Sequence, residues 1–494
     1  MRNIETLISA QYIVPVRPRG EVLHDGAVAV DKGHIVGVMP RLQALEKFRA
    51  EEQVHLARHI LLPGLINAHT HSPMSLFKGV GGGLPMRRWL HECIFPLERD
   101  FLTPQFVRDG AELAIAEMIR GGATCFNDMY YFPEDIIDVA CHARIRICCG
   151  LTVLEFATAY AADADEYIGK GLEVRDQYKD DGRVHFMFAP HAPYTVSDKT
   201  LMRIRTYSDE LNLPVHIHLH ETAGEIADSI KEFGVRPMAR LDQLGLVTPA
   251  LRAVHMTQLT EEEVALLAER NAQVLHCPES NMKLASGICP VRTLLEHGVN
   301  VALGTDGAAS NDDLDILGEM RTAALLAGVT GGAGGGAGGG AGGGGGDKGV
   351  GNNNSGDGGA RNSGNGDSAN GSGGSGDNAV FNPATALEMA TINGATALGL
   401  GEVVGSIEKG KAADFAAVQC DGIEAVPVYD AIGHLVYSAS RSEVSDVWIA
   451  GQRVLRDRVL TTIDEQALLK KSAGWRRKIA VAAARVRQPT QPTQ

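Results

Sequence analysis

Two histidines separated by one residue give the clearest chemical signal in the chain. His69 and His71 follow residues 60–63, an apolar run that predicts a strand entering a core. Side chains alternate across a strand, so the two imidazoles should face the same side. Two neutral imidazoles there could form half of a divalent-metal site, although paired strand histidines are also common as packed or solvated side chains.

Further polar residues end later apolar runs. Residues 215–221 place His216, His218 and His220 at alternating positions, so spacing alone does not identify which of them would bind a metal. His255 ends another run, and Asp306 lies between an apolar run and a glycine. Three imidazoles and one carboxylate at one place would suit zinc, and an open coordination position would make the metal catalytic.

Each of these residues also has a structural interpretation. Asp306 could cap a helix, but its place after an apolar run favours a site role. His191 lies between two prolines that fix its backbone, and spacing leaves a ligand-facing role and a structural role equally open. The remaining histidines are expected in the core, behind the ligands or in solvent: His142, His185, His216, His220, His276 and His434.

The middle of the chain alternates strand and helix patterns. Strand candidates begin at Leu61, Ala123, Arg146, Val184, Pro214, Ala253, Ala272 and Val299, with helical periodicity clearest over residues 107–120, 198–211, 261–270 and 314–326. Eight such alternations over residues 61–328 predict an α/β fold, a (β/α)8 TIM barrel. Active-site residues in that fold lie at the carboxyl ends of the strands, and the candidate residues occupy those positions.

The two chain ends predict a second, smaller unit. Strand–turn–strand patterns at residues 27–38 and 445–455 indicate a small β-sandwich domain built from residues 1–60 and 404–462. Residues 329–377 are rich in glycine, asparagine and serine, so we expect a disordered insertion without a catalytic role. Residues 378–403 should form helices associated with the barrel, and residues 463–494 a solvated C-terminal helix and tail.

Bulk composition excludes several classes of protein. A net charge of −14 over 494 residues argues against a nucleic-acid partner. No apolar run is long enough to cross a membrane or to act as a signal core, so we expect no membrane association. The eight cysteines show no regular spacing and suit a reducing, cytoplasmic location. A homo-oligomer is compatible with the sequence, which does not specify one.

Five ordered motifs resemble those of the amidohydrolase superfamily. They occupy residues 64–76, 218–222, 254–256, 276–284 and 303–311. Within the superfamily they are most similar to the 5-methylthioadenosine/S-adenosylhomocysteine deaminases and the related triazine hydrolases. The resemblance covers nearly the whole chain apart from residues 329–377 and the tail.

The resemblance implies a role for each matching residue. One metal per chain, zinc or iron, would be held by His69, His71, His218 and Asp306. The catalytic groups would be Glu221, His255 and Asp306, and the substrate would contact Trp89, Glu98, His191, Glu221 and Asp306. The two-metal branch carries a bridging lysine on the fourth strand, and residues 184–189 contain none, which favours one metal.

The implied reaction is hydrolytic deamination of an adenine-type nucleoside to an inosine-type product and ammonia. Zinc would supply an activated water, Asp306 would take its proton, Glu221 would protonate ring nitrogen N1, and His255 would stabilise the tetrahedral oxygen. Some relatives hold the far end of the nucleoside with arginines after the third strand. Residues 149–155 offer none, so methylthioadenosine or adenosine is at least as good a candidate as S-adenosylhomocysteine.

Two alternatives remain at this stage. A triazine or other aminoheterocycle hydrolase would need no change in the metal ligands. A non-catalytic metal-binding barrel is disfavoured, because all four ligands and Glu221 are present. The deaminase signature His-x-Glu with Pro-Cys-x-x-Cys, which belongs to a different fold, is absent from the sequence.

Overall fold

A computed structural model describes residues 1–331 and 381–486 as two eight-stranded sheets with surrounding helices. The strands are β1 (Arg2–Ile13), β2 (Leu23–Asp31), β3 (His34–Pro40), β4 (Phe48–Pro63), β5 (Leu65–Thr70), β6 (Ala123–Tyr130), β7 (Arg146–Val153), β8 (Val184–Pro190), β9 (Val215–Leu219), β10 (Leu251–His255), β11 (Gln273–His276), β12 (Val301–Leu303), β13 (Phe415–Gln419), β14 (Val444–Ile449), β15 (Gln452–Arg456) and β16 (Val459–Leu460). The insertion predicted at residues 329–377 falls almost wholly outside the described residues, as does the tail from Pro489 onward.

The α-helices occupy the connections between strands and both ends of the barrel. They are α1 (Arg41–Lys47), α2 (Met86–Arg88), α3 (Phe95–Phe101), α4 (Pro104–Arg120), α5 (Pro133–Ala143), α6 (Ala164–Tyr178), α7 (Asp198–Leu211), α8 (Ala223–Phe233), α9 (Pro237–Gln243), α10 (Glu261–Glu269), α11 (Pro278–Lys283), α12 (Val291–Glu296), α13 (Ala308–Asn311), α14 (Ile316–Gly331), α15 (Pro383–Met389), α16 (Ile392–Ala397), α17 (Ala431–Tyr437) and α18 (Glu465–Val486). A 3₁₀ turn at Ser72–Phe77 and a π-helical turn at Trp89–Ile94 follow β5.

The strands β5 to β12 form the predicted barrel, parallel and in sequential order. Every residue of β5, β6 and β7 is buried, because helices cover one face and the barrel interior the other. The segment that follows the last strand bonds to the first strand: the Asp306 backbone N–H donates to the His69 carbonyl oxygen at 3.0 Å. The (β/α)8 prediction is confirmed, and its closure lies directly at the candidate site.

The first barrel strand begins later than the sequence predicted. Residues 61–63 belong to β4 of the other sheet, where Leu62 pairs with Ala416 of β13. Gly64 then separates the two sheets, and a Cβ there would lie 2.1 Å from Thr124 Oγ1. The predicted start at Leu61 is therefore wrong by four residues, because one apolar run serves two sheets in succession. The other seven strands begin within two residues of their predicted positions.

The second sheet contains both chain ends, in the order β16-β15-β14-β13-β4-β1-β2-β3. Both predicted hairpins are present, β2 with β3 and β14 with β15. Side chains from its two halves, among them Ile8, Phe415 and Trp448, share one buried apolar cluster. The small β domain built from both ends is thus confirmed, and its strands form one continuous hydrogen-bonded sheet.

The C-terminal helix is attached to the barrel along one face. Trp475 of α18 is 9% exposed, and its Nε1–H donates to Asp109 Oδ2 of α4 at 2.8 Å. Exposed basic residues also occur along α18, and one of them, Lys471, lies 2.5 Å from Glu112 Oε2 of α4. Within residues 1–331 and 381–486, no helix combines the length and apolar character needed to cross a membrane.

Candidate active site

Four side chains converge at the carboxyl ends of three barrel strands. His69 and His71 come from the end of β5, His218 from β9, and Asp306 from the loop after β12. One ligand atom of each lies within 4.8 Å of the corresponding atom of the others. Asp306 Oδ1 is 3.4 Å from His69 Nε2 and 3.2 Å from His71 Nε2, and the Nε2 atoms of His69 and His218 are 3.2 Å apart.

Backbone carbonyls fix the orientation of two of these imidazoles. His71 Nδ1 lies 2.6 Å from the Met129 carbonyl oxygen, and His218 Nδ1 lies 2.8 Å from that of His191. A carbonyl oxygen can only accept a hydrogen bond, so each Nδ1 must carry the proton. Each Nε2 is then the ring nitrogen directed at the cluster, as in metal-binding histidines.

The alternating histidines of β9 separate into different environments. His216 is fully buried behind the cluster, with its Nε2 at 2.9 Å from His69 Nδ1. His220 follows the end of β9 with a left-handed backbone (φ 53°), and its Nε2 accepts a hydrogen bond from the Met238 N–H at 3.0 Å. The predicted shared face therefore does not extend to His220, and His218 is the residue of this segment that joins the four-residue cluster.

The electrostatics of the cluster fit a cation. Burial would raise the pKa of Asp306, but its hydrogen bonds to His69 and His71 hold that pKa well below 3.8. Burial lowers the pKa of His71, but Asp306 outweighs it and raises the value to about 9. Burial holds the pKa of His218 well below 6.5, so that imidazole is neutral. An ionised carboxylate that draws positive charge into a group of imidazoles is a donor set that fits a divalent metal, which would displace the proton from His71 Nε2.

Two further groups that can carry protons border the cluster. Glu221 Oε2 lies 3.8 Å from His255 Nε2, and burial raises the pKa of the Glu221 carboxyl. His255 and Asp306 both have positive φ angles, 75° and 62°, which side-chain-bearing residues rarely adopt. Such conformations cost roughly 1–3 kcal/mol each and concentrate at functional sites.

A cleft opens over these groups. Its walls include every predicted substrate-contacting residue, namely Trp89, Glu98, His191, Glu221 and Asp306. Glu98 Oε1 accepts a hydrogen bond from the Tyr130 hydroxyl at 2.8 Å, and burial raises the pKa of Glu98 to about 7. His191 Nδ1 lies 3.1 Å from Thr195 Oγ1, and burial lowers the pKa of His191 to about 3. Near neutral pH His191 is therefore uncharged and Glu98 is partly protonated, while apolar side chains make up much of the remaining wall.

Three polar residues on α11 and in the loop after it contact the site, and the sequence predicted no role for them. Ser280 Oγ donates to Asp306 Oδ2 at 2.6 Å, and His255 Nδ1 lies 2.8 Å from Asn281 Oδ1. Ser286 Oγ donates to Glu221 Oε1 at 3.2 Å. The motif at residues 276–284 marked this loop as part of the resemblance, but nothing in the sequence paired its side chains with their partners.

Known proteins resemble this chain over almost its full length. The Amidohydrolase family profile matches residues 60–337 and 360–454. A 5-methylthioadenosine/S-adenosylhomocysteine deaminase of Saccharophagus degradans is 41% identical, with 97% of this chain and 98% of that protein covered. A zinc-bound crystal structure of an adenosine deaminase from Xanthomonas campestris shows 43% identity and a TM-score of 0.87, covering 97% of this chain and 99% of that one.

A more distant structure shares the fold. The zinc complex of atrazine chlorohydrolase from Arthrobacter aurescens TC1 has a TM-score of 0.80 at 20% identity, over 95% of this chain and 99% of that one. The family match, the relatives above 40% identity and the clustered histidines agree with one another. This chain belongs to the Amidohydrolase family, whose members are metal-dependent hydrolases.

Proposed function

We propose that this protein is a hydrolytic deaminase of adenine-type nucleosides, acting on 5-methylthioadenosine, S-adenosylhomocysteine or adenosine. The observation that carries the proposal is a four-ligand cluster beside the Glu221–His255 pair within one cleft. The names of the two relatives above 40% identity support the same reaction and substrate class.

We assign His69, His71, His218 and Asp306 to one metal ion per chain, zinc or iron. The fit rests on three Nε2 lone pairs and one ionised carboxylate aimed at one point. Strand β8 carries no lysine that could bridge a second metal. When bound, zinc at an open site lowers the pKa of a coordinated water to ~7 and so supplies a nucleophile at neutral pH.

Different side chains around the cluster carry out the separate proton transfers of the reaction. Asp306 Oδ2, held by Ser280, accepts the proton of the attacking water. Burial raises the pKa of Glu221 and so favours its protonated form, from which Oε2 would deliver a proton to ring nitrogen N1. His255, with Nδ1 fixed by Asn281, turns Nε2 toward the oxygen that adds to C6. The proton held by Asp306 then passes to the C6 amino group, which leaves as ammonia, and the proton of the C6 hydroxyl returns to Glu221 as the inosine-type product forms.

The cleft walls hold the nucleoside in this arrangement. Glu98 and His191 line the same cleft as Glu221, and their polar atoms would serve as partners for sugar hydroxyls or ring nitrogens. The Trp89 indole is 6% exposed, and its Nε1–H donates to the Val80 carbonyl oxygen at 3.3 Å. Its ring faces therefore serve as an apolar wall rather than as a hydrogen-bonding group.

The test is ammonia release by the metal-loaded protein across a substrate panel. The panel contains adenosine, methylthioadenosine, S-adenosylhomocysteine, guanine and a chlorinated triazine, with His218→Ala as the metal-deficient control. We expect release from at least one adenine nucleoside and none from the control. Turnover of the triazine or guanine alone would replace the proposed substrate class, and a metal-loaded protein inactive on the whole panel would contradict the proposal.

A further inference from the structure

The loop after β11 contacts all of the groups assigned to proton transfer. Over residues 277–287 it supplies three polar side chains that are each at most 4% exposed. Their partners belong to three other strands, β9, β10 and β12, or to the turns that follow them. The three pairs are Ser280 with Asp306, Asn281 with His255, and Ser286 with Glu221.

This loop is anchored against the turn that follows β10. The Ser286 carbonyl oxygen accepts hydrogen bonds from Thr257 Oγ1 at 3.2 Å and Gln258 Nε2 at 2.9 Å. Gly287 has a φ of 137°, and a Cβ there would lie 2.5 Å from Gln258 Nε2. Only glycine permits this close approach, so the backbone beside Ser286 is held in place independently of Glu221.

The contact of Ser286 distinguishes the two oxygens of Glu221. A protonated carboxyl has one O–H, and Oε1 is already the acceptor of the Ser286 hydroxyl. While Ser286 donates to Oε1, the proton of a protonated Glu221 is carried by Oε2, which lies 3.8 Å from His255 Nε2. Thr257 Oγ1 also donates to the Glu221 carbonyl oxygen at 2.7 Å, which fixes the backbone of the same residue.

We propose that Ser286 is a positioning residue that keeps the transferable proton of Glu221 on Oε2, directed at the substrate ring. This inference rests on the proposed deaminase function. Ser286 does not line the cleft, so it acts through Glu221 rather than by touching the substrate. A net neutral hydrogen bond contributes ~0.5–1.5 kcal/mol, which corresponds to a loss of roughly 3–10-fold in rate when it is removed.

The first test is steady-state kinetics of Ser286→Ala with adenosine or methylthioadenosine. We expect kcat to fall about 3–10-fold, while KM and metal content stay at wild-type values. Ser286→Thr keeps the hydroxyl and should recover most of the lost kcat. Ser208→Ala is the matched control, because Ser208 is also a buried serine bonded to one oxygen, the Leu213 carbonyl at 2.5 Å, but lies on α7 outside the site.

A double-mutant cycle separates positioning from a general structural effect. If Ser286 acts through the Glu221 proton, Ser286→Ala should change kcat less than twofold in a Glu221→Gln background, measured at high enzyme concentration. An equal loss in both backgrounds, or unchanged kcat for Ser286→Ala alone, would overturn the positioning role. A wild-type protein that releases no ammonia would instead remove the proposed function, and this inference with it.

Discussion

Replacing Glu98 by glutamine should remove a pH-dependent loss of stability. Burial raises the pKa of Glu98 from 4.5 to about 7 in the folded protein. The folded state thus binds this proton more tightly than the unfolded state. The stabilisation is complete below pH ~4.5 and is lost as the pH rises through about 7, because the charged carboxylate is then held in a poorly solvated place.

The size of the effect follows from the difference between the two values. The two pKa values of Glu98 differ by about 2.5, and each pKa unit corresponds to ~1.4 kcal/mol. The free-energy effect therefore has an upper limit of ~3 kcal/mol. Glu98 borders the cleft, where water lowers the cost of the charge, so we expect ~2 kcal/mol. Glutamine has similar size and binds no proton in this range, so the contribution disappears in Glu98→Gln.

The assay is urea unfolding of chelator-treated wild type and Glu98→Gln at pH 5 and pH 8. Between pH 5 and pH 8, the free energy of unfolding of Glu98→Gln should rise by ~2 kcal/mol relative to that of wild type. Tyr130→Phe is the matched control, since it removes a hydrogen bond to the carboxylate and should make the wild-type slope steeper. A parallel loss of stability in wild type and Glu98→Gln over this range would show that Glu98 does not cause the pH dependence.

Three further outcomes follow from the structure. Asp414→Ala should lower the free energy of unfolding by ~3–5 kcal/mol in urea titrations, because Arg146 Nε, 2.7 Å from Asp414 Oδ2, would be left buried without its partner. Unchanged stability would mean that solvent reaches this pair. Chelation should abolish ammonia release, and about one equivalent of zinc per chain should restore it; restoration that requires two equivalents would contradict a mononuclear site. His216→Ala should weaken zinc binding ~10–100-fold in competition titrations, because it removes the partner of His69 Nδ1, whereas His276→Ala should not.

The positions of the site residues were predictable because strand periodicity and strand ends are local properties. His69 and His71 end one strand, and Asp306 follows another, so the barrel pattern alone placed them at one mouth. The start of the first strand was not predictable. Residues 60–66 form one apolar run, and only the close contact of Gly64 with Thr124 shows where the chain passes between sheets.

The side-chain pairings depended on tertiary structure. Nothing in the alternation of His216, His218 and His220 indicates that the backbone turns left-handed after Leu219 and removes His220 from the shared face. Ser286 belongs to a loop whose path is set by contacts with a different loop, and no periodicity encodes such contacts. The sequence therefore located the candidate metal ligands, His218 only through the family resemblance, while the groups that orient them required the structure.

The most direct test of the account is the metal content and turnover of Glu221→Gln, measured on the same preparation. Glutamine keeps the size and the Ser286 contact but cannot deliver a proton to the ring. We expect metal content at the wild-type level, retained binding of a product analogue, and kcat for adenosine or methylthioadenosine lowered by at least ~100-fold. Near wild-type turnover by metal-loaded Glu221→Gln would show that the proton comes from another group and would contradict the proposed mechanism.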